Sequence, residues 1–291
     1  MSPVLTAPIV STQWVADHLG ADDLVVVDAS VLVTAASAGG GRSWQTGHEA
    51  YLLDGHVPGA VFADLPGDFS DTSSPLPFTR PGESAFEEAV GALGISNDTC
   101  VVVYDSSRGQ WAARLWWLFH AFGYDDVAVL DGGWSAWRSE ERPYDLGAVE
   151  PGTADFVAEE RPDAWADKAF VEDVVAGRED AALVCALPSA EFSGSEGHWA
   201  RPGHIPGSAN VPLETLVDDS RRFRRTAELR TALGAAAGAG RVVVYCGAGV
   251  QAAADALALT LVGHTRVSVY DGSLAEWAAD PAAPLDAPAA A

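Results

Sequence analysis

The chain has 291 residues, 48% hydrophobic and 9% aromatic, which suits two buried cores of ordinary domain size and excludes a disordered chain. Its 41 acidic residues against 17 Lys and Arg give a net charge of −24, which repels phosphate backbones and anionic lipid, so no nucleic-acid and no membrane partner is expected. Three scattered cysteines, Cys100, Cys185 and Cys246, make neither a disulfide framework nor a Cys-x-x-Cys metal pair; with no basic leader before a long apolar run, a cytoplasmic location is expected.

The predicted elements follow in order. Residues 24–28, Leu-Val-Val-Val-Asp, read as a strand apolar on both faces, the pattern of a buried parallel strand. A turn, Gly55-His-Val-Pro-Gly-Ala60, comes next, then a second strand, Val101-Val-Val-Tyr104. Residues 112–122 are apolar nearly all round, as a helix lying on a sheet would be, and Gly123 ends them. A third strand runs into Asp131-Gly-Gly. Residues 138–168 are rich in Pro, Gly, Glu and Asp and read as an exposed linker.

After the linker the pattern returns. Ala182-Leu-Val-Cys185 matches the first strand, and Gly203-His-Ile-Pro-Gly-Ser208 repeats the turn 148 residues later. Val242-Val-Val-Tyr245 repeats the second strand at an offset of 141, and Asp271-Gly-Ser-Leu-Ala-Glu-Trp277 repeats Asp131-Gly-Gly-Trp-Ser-Ala-Trp137 at 140. Three motifs in one order at nearly constant spacing indicate a duplicated α/β domain with a mainly parallel sheet. The Pro/Ala-rich tail, 280–291, is expected to fray. Trp116 and Trp117 are expected in the core, and the two Asp-Gly turns are read as structural.

The copies differ where chemistry would sit. The first strand–helix loop reads Asp105-Ser-Ser-Arg-Gly-Gln110; the second reads Cys246-Gly-Ala-Gly-Val-Gln251. A cysteine at the carboxyl end of a parallel strand lies in the crevice where α/β sheets bind ligands. Gly247 and Gly249 would let successive backbone N–H groups turn inward, and a helix starting near Val250 would add its positive end, both favouring the nucleophilic thiolate. Cys100 and Cys185 lie in strands and read as packing residues. A Cys-x5-Arg phosphatase loop is excluded because Ala252, with five residues between it and Cys246, stands where the Arg would be. His204 recurs as His56 in the copy without the cysteine, so both histidines read as structural.

These residues resemble the tandem rhodanese family of sulfurtransferases over nearly the whole chain. The markers are Gly-His-Val-Pro-Gly-Ala-Val-Phe (55–62), Ala-Arg-Leu-Trp-Trp (113–117), Val-Leu-Asp-Gly-Gly (129–133), Gly-His-Ile-Pro-Gly-Ser-Ala-Asn-Val-Pro (203–212) and Cys246-Gly-Ala-Gly-Val-Gln-Ala252. The resemblance implies an inactive rhodanese-like domain over 1–140, a linker over 141–165 and a catalytic rhodanese-like domain over 166–291. It implies that Cys246 takes a sulfane sulfur from a small anionic donor of the mercaptopyruvate or thiosulfate type. The resulting persulfide would pass it to a thiol or cyanide-like acceptor, with no metal or organic cofactor. Backbone N–H groups from Gly247 through Ala248, Gly249 and Val250 to Gln251 would hold the sulfur, with Arg201 contacting the donor. An alternative is a rhodanese-like binding or persulfide-carrier module with little turnover.

Some positions depart from the family. Thiosulfate enzymes tend to have Cys-Arg-Lys-Gly-Val-Thr and mercaptopyruvate enzymes Cys-Gly-Ser-Gly-Val-Thr; here Ala248 replaces the serine. A first-domain histidine and its aspartate align to Phe78 and Pro66, and a carboxylate-gripping Arg is replaced by Glu191. Weak mercaptopyruvate turnover follows, with Glu191→Arg expected to improve it. Asp105→Cys is expected to create no second active site, because the loop 105–110 would form a poor nest. The run Arg221-Arg-Phe-Arg-Arg225 reads as a solvated turn, with an anion funnel as the functional alternative.

Overall fold

The computed structural model describes residues 3–35 and 42–287. The first sheet takes β1 (Ile9–Val10), β2 (Leu24–Asp28), β5 (Val61–Phe62), β6 (Cys100–Tyr104) and β7 (Val127–Leu130). A separate antiparallel hairpin, β3 (Val31–Ala35) with β4 (Arg42–Thr46), leaves the first sheet between β2 and β5. The second sheet takes β8 (Trp165–Ala166), β9 (Ala182–Cys185), β10 (Ala209–Asn210), β11 (Val242–Tyr245) and β12 (Val267–Tyr270). The orders are β1-β7-β6-β2-β5 and β8-β12-β11-β9-β10, all parallel, so the two α/β copies share one topology. The valine-rich strands β6 and β11 sit in the middle of their sheets and are buried along their whole length, which is why their sequences do not alternate.

Matching bonds repeat in both halves. The Tyr104 hydroxyl accepts from Val57 N–H and the Tyr245 hydroxyl from Ile205 N–H, tying each Gly-His-x-Pro-Gly turn to its central strand. His56 is fully buried with both ring nitrogens 3.0 Å from backbone carbonyls, and His204 stacks on Phe192, so neither faces a reaction centre. Trp137 Nε1 donates to the Pro143 carbonyl and Trp277 Nε1 to the Pro284 carbonyl, both at 2.7 Å. The second of these bonds, with the Asp286–His204 bridge, docks the tail as far as that bridge, against the frayed end expected from its composition; 288–291 lie outside the described residues. The 141–165 connection is also less exposed than expected. Ala154, Glu159 and Arg161 donate backbone N–H groups to Gly91, Phe122 and Ala121, and Phe156 is buried.

The two copies meet through their long helices, Gln110–Ala121 and Val250–Leu261, which pack against each other. Arg114, in the first of these, is 1% exposed and pairs with Asp271 at 2.7 Å; the same nitrogen donates to the Phe78 carbonyl. Asp271 also accepts from Arg80 N–H at 2.8 Å. In return Asp131 of the first copy accepts from Phe223 N–H of the second at 2.8 Å. The two Asp-Gly turns therefore do more than reverse the chain: each grips the other copy. Trp116 and Trp117 are in the core. No helix among the described residues is long and apolar enough to cross a membrane.

Candidate active site

Cys246 follows β11 directly and is 2% exposed. Backbone N–H groups of Ala252, Ala248, Gln251 and Gly247 hydrogen-bond toward its sulfur. These donors stabilise the thiolate, yet burial outweighs them and pushes the thiol up. The expected thiolate stabilisation is thus present in direction but does not win. Gly249 does not face the sulfur. It caps the helix Val250–Leu261 in the left-handed region (φ 73°), and its N–H goes to Ser273 Oγ at 3.1 Å.

Ser273 is the loop's anchor. Its buried hydroxyl accepts from Cys246 N–H (3.2 Å) and Gly249 N–H (3.1 Å) and donates to the Tyr270 carbonyl (2.8 Å). The residue is held at φ 49°, uncommon for a non-glycine; the corresponding Gly133 has φ 53°. The only sequence trace of this role is a serine where the first copy has glycine.

The first copy corrects one expectation. Its loop forms a complete nest, and Asp105 fills it. Oδ1 accepts from Ser107 N–H (2.7 Å) and Gly109 N–H (3.0 Å); Oδ2 accepts from Trp111 N–H (2.9 Å) and Ala112 N–H (3.0 Å). Gly109 caps the following helix in the left-handed region, as Gly249 does, but stands four residues after Asp105 whereas Gly249 stands three after Cys246. The extra residue makes room for a carboxylate.

Beside Cys246 lies a cavity of about 140 Å³. The second copy lines it with Leu187, His198, Trp199, Cys246, Gly247, Ala248, Val250 and Gln251; the first lends Val33, Trp44, Phe78, Gln110 and Trp111. Trp44 stands edge-on to Phe78 at 5.4 Å, and Phe78 is 5.3 Å from Trp111. A Cβ at Gly247 would collide with the Trp199 indole, so this close approach requires glycine. The position where thiosulfate enzymes tend to have arginine is covered here by an aromatic ring. Sequence reading missed Trp44, His198 and Trp199; the one available signal was a His-Trp pair in an otherwise small and polar segment before the second turn motif.

Two expected donor-binding residues are not on the cavity wall. Glu191 is 4% exposed and accepts from Trp199 Nε1–H at 3.3 Å, so it holds the indole rather than facing a substrate. Arg201 is spent on backbone carbonyls: Nε donates to Ala278 (3.1 Å), and Nη2 to Trp277 (3.3 Å), Ala283 (2.8 Å) and Asp280. The basic run is likewise not part of the cavity. Arg221 ties the copies together through the Ser106 and Ser107 carbonyls (2.9 Å each) and Ser135 Oγ, while Arg222 pairs with Glu140. Pro66 is not among the lining residues, whereas Phe78 is. Burial raises both Cys100 and Cys185 to about 12, in keeping with packing roles. No cluster of metal-ligating side chains occurs among the described residues.

The fold and site define a duplicated α/β protein with one thiol mounted in a backbone cradle and a carboxylate plugging the other. The Rhodanese-like domain model matches residues 11–140 and 178–280, and the chain belongs to the rhodanese family. It is 34% identical over 289 residues to the 3-mercaptopyruvate sulfurtransferase of Escherichia coli K12, covering 97% of this chain and 98% of that one. It is 35% identical over 285 residues to a thiosulfate sulfurtransferase of Corynebacterium glutamicum, covering 92% and 87%. The crystal structure of the Escherichia coli 3-mercaptopyruvate sulfotransferase SseA superposes with a TM-score of 0.79 at 32% identity, covering 92% of this chain and 99% of that one.

Proposed function

We propose that the chain is a sulfurtransferase in which Cys246 carries a sulfane sulfur from a small anionic donor, of mercaptopyruvate or thiosulfate type, to a thiol or cyanide-like acceptor. The observation that carries this reading is the Cys246 thiol, set among four backbone N–H groups at the edge of a cavity in a rhodanese-family chain. The thiolate attacks the donor's sulfane sulfur, the bond from that sulfur to the donor breaks, and the persulfide remains on the enzyme. The acceptor then attacks the outer sulfur and releases Cys246 as thiolate. Gly247, Ala248, Gln251 and Ala252 N–H groups would offset the charge at each stage. Relatives named for both donors support the donor type, and three free thiols support a reducing, cytoplasmic setting.

Donor treatment followed by intact-protein mass tests the reading. One sulfur atom should be gained, and Cys246→Ser should gain none; sulfur transfer by Cys246→Ser would sink it. A persulfide carrier with slow turnover is a second reading, favoured by the absence of Lys and Arg among the described residues lining the cavity.

A further inference from the structure

We infer that the chain binds a small oxyanion of the diphosphate kind at the end of the second sheet opposite Cys246. This does not rest on the persulfide reading. A cavity of about 310 Å³ lies there, at the lower end of the roughly 300–1,000 Å³ that small-ligand sites occupy. Its wall takes His120 from the first copy, Arg161 and Asp163 from the connection, and Arg241, Arg266 and Ser268 from the second copy. Arg241 precedes β11 and Cys246 follows it, so at about 3.3 Å per residue the strand holds the two about 16 Å apart.

Strand register makes the site. Val242 pairs with Val267, and Val242 N–H donates to the Arg266 carbonyl at 3.0 Å. Arg241 and Arg266, one residue earlier on each strand, are therefore lateral neighbours. Like charges side by side on adjacent strands repel. Yet neither arginine forms an ion pair among the described residues. The first copy shows that the fold does not require this pair: there Val101 pairs with Val127, and the preceding residues are Cys100 and Asp126.

Arg241 is already held in place. Its guanidinium lies 4.1 Å from the centre of the Phe170 ring, and Nη2 donates to Ser268 Oγ at 3.1 Å, which in turn donates to the Asp163 carbonyl at 2.7 Å. The other guanidinium N–H groups of Arg241 meet no acceptor among the described residues, and the exposed Arg266 side chain makes no hydrogen bond there. Arg161 differs, because Asp125 accepts from both of its terminal nitrogens at 2.8 Å and lies 2.6 Å from His120 Nδ1. Arg161 therefore frames the cavity without adding net charge. Asp163 is the single acid among the lining residues and is exposed.

Two cations without counterions thus face one carboxylate. Guanidinium forks take phosphoryl oxygens in pairs. A single phosphate occupies one fork, whereas a diphosphate offers oxygens to two forks carried on strands about 4.8 Å apart. The chain's charge of −24 does not forbid this, since charges beyond about 8 Å are largely screened at physiological ionic strength and the adjacent arginines set the local potential.

Calorimetric titration of the full-length protein with inorganic pyrophosphate tests this, at constant chloride and without divalent metal, with inorganic phosphate and ADP for comparison. One saturable site is expected, with pyrophosphate bound about tenfold or more tighter than phosphate through its second charged contact. Arg266→Ala removes no hydrogen bond or ion pair made among the described residues, so it should keep the wild-type Tm and weaken pyrophosphate about tenfold or more. Asp163→Asn should tighten it about threefold. ADP as tight as pyrophosphate identifies a nucleotide as the source of the diphosphate, and ADP tenfold weaker identifies the free anion; both uphold the inference. Absence of saturable pyrophosphate binding overturns it, as does equal affinity for phosphate. Undiminished binding in Arg266→Ala, or weaker binding in Asp163→Asn, overturns it as well. Sulfur loading at Cys246 should be the same in Arg266→Ala and wild type; if neither loads, the persulfide reading falls and this inference does not.

Discussion

At Cys246, burial and backbone hydrogen bonding pull the thiol in opposite directions, and burial is the larger. The thiolate fraction should therefore keep growing with pH through the alkaline range. Alkylation of Cys246 by iodoacetamide is expected to accelerate about tenfold per pH unit from 7 to 9; a plateau near pH 7 would show a thiolate already formed. Glu191 reverses an expectation from sequence. Because it sits behind Trp199 and accepts from the indole, Glu191→Arg would place an unpaired cation at a site 4% exposed. The variant should lose about 3 kcal/mol or more in urea unfolding and should lower kcat/KM rather than raise it. The aligned position was legible in the chain; the direction of its side chain was not, since that depends on the indole folding back over Gly247.

The two strand–loop–helix elements differ by one residue and by what fills them. The motifs of both were legible because each is a local pattern of Val runs, Gly turns and apolar helices. The plug was not, because Asp105 looks like an ordinary loop acid until four N–H groups converge on it. Asp105→Ala would leave those donors buried and unpaired, at about 1–3 kcal/mol each where water cannot replace the carboxylate. A loss of several kcal/mol is expected in chemical denaturation, with persulfide formation at Cys246 retained under native conditions. A loss below about 1 kcal/mol would mean that water fills the nest. The hairpin β3–β4 was equally invisible: its strand-like residues can be read, but its position over the other copy's cavity is a tertiary fact.

For the molecule as a whole, the reciprocal Asp131 and Asp271 contacts make the interface a stability element. Asp271→Ala strands the Arg114 guanidinium, 1% exposed, and should cost about 3–5 kcal/mol. Calorimetry should register this as a lower Tm, and one unfolding transition splitting into two would show that the copies come apart first. Burial also raises Asp28 to about 6 and lifts Asp255, whose carboxylate oxygens have no partner among the described residues, well above the usual range. The folded chain then holds protons that the unfolded chain has released. These groups stabilise the fold fully below about pH 4, and the Asp28 contribution is lost as pH rises through about 6. Asp28→Asn should flatten that part of the profile by on the order of 3 kcal/mol. Asp125, lowered by its hydrogen bond to His120 and by Arg161, acts in the opposite sense at more acidic pH.

The hairpin and helix that the first copy lends to the cavity divide the labour of the site between the halves of a gene duplication. In the proposed reaction the nucleophile stands in the loop 246–252, while Val33, Trp44, Phe78, Gln110 and Trp111 stand on the half that has Asp105 at the corresponding position. Variation in that half can reshape what enters without disturbing the cysteine loop. On the proposed reading the copy with Asp105 in its nest is the one free to diversify, and related chains that share an identical cysteine loop are expected to part company in substrate choice through changes in that half.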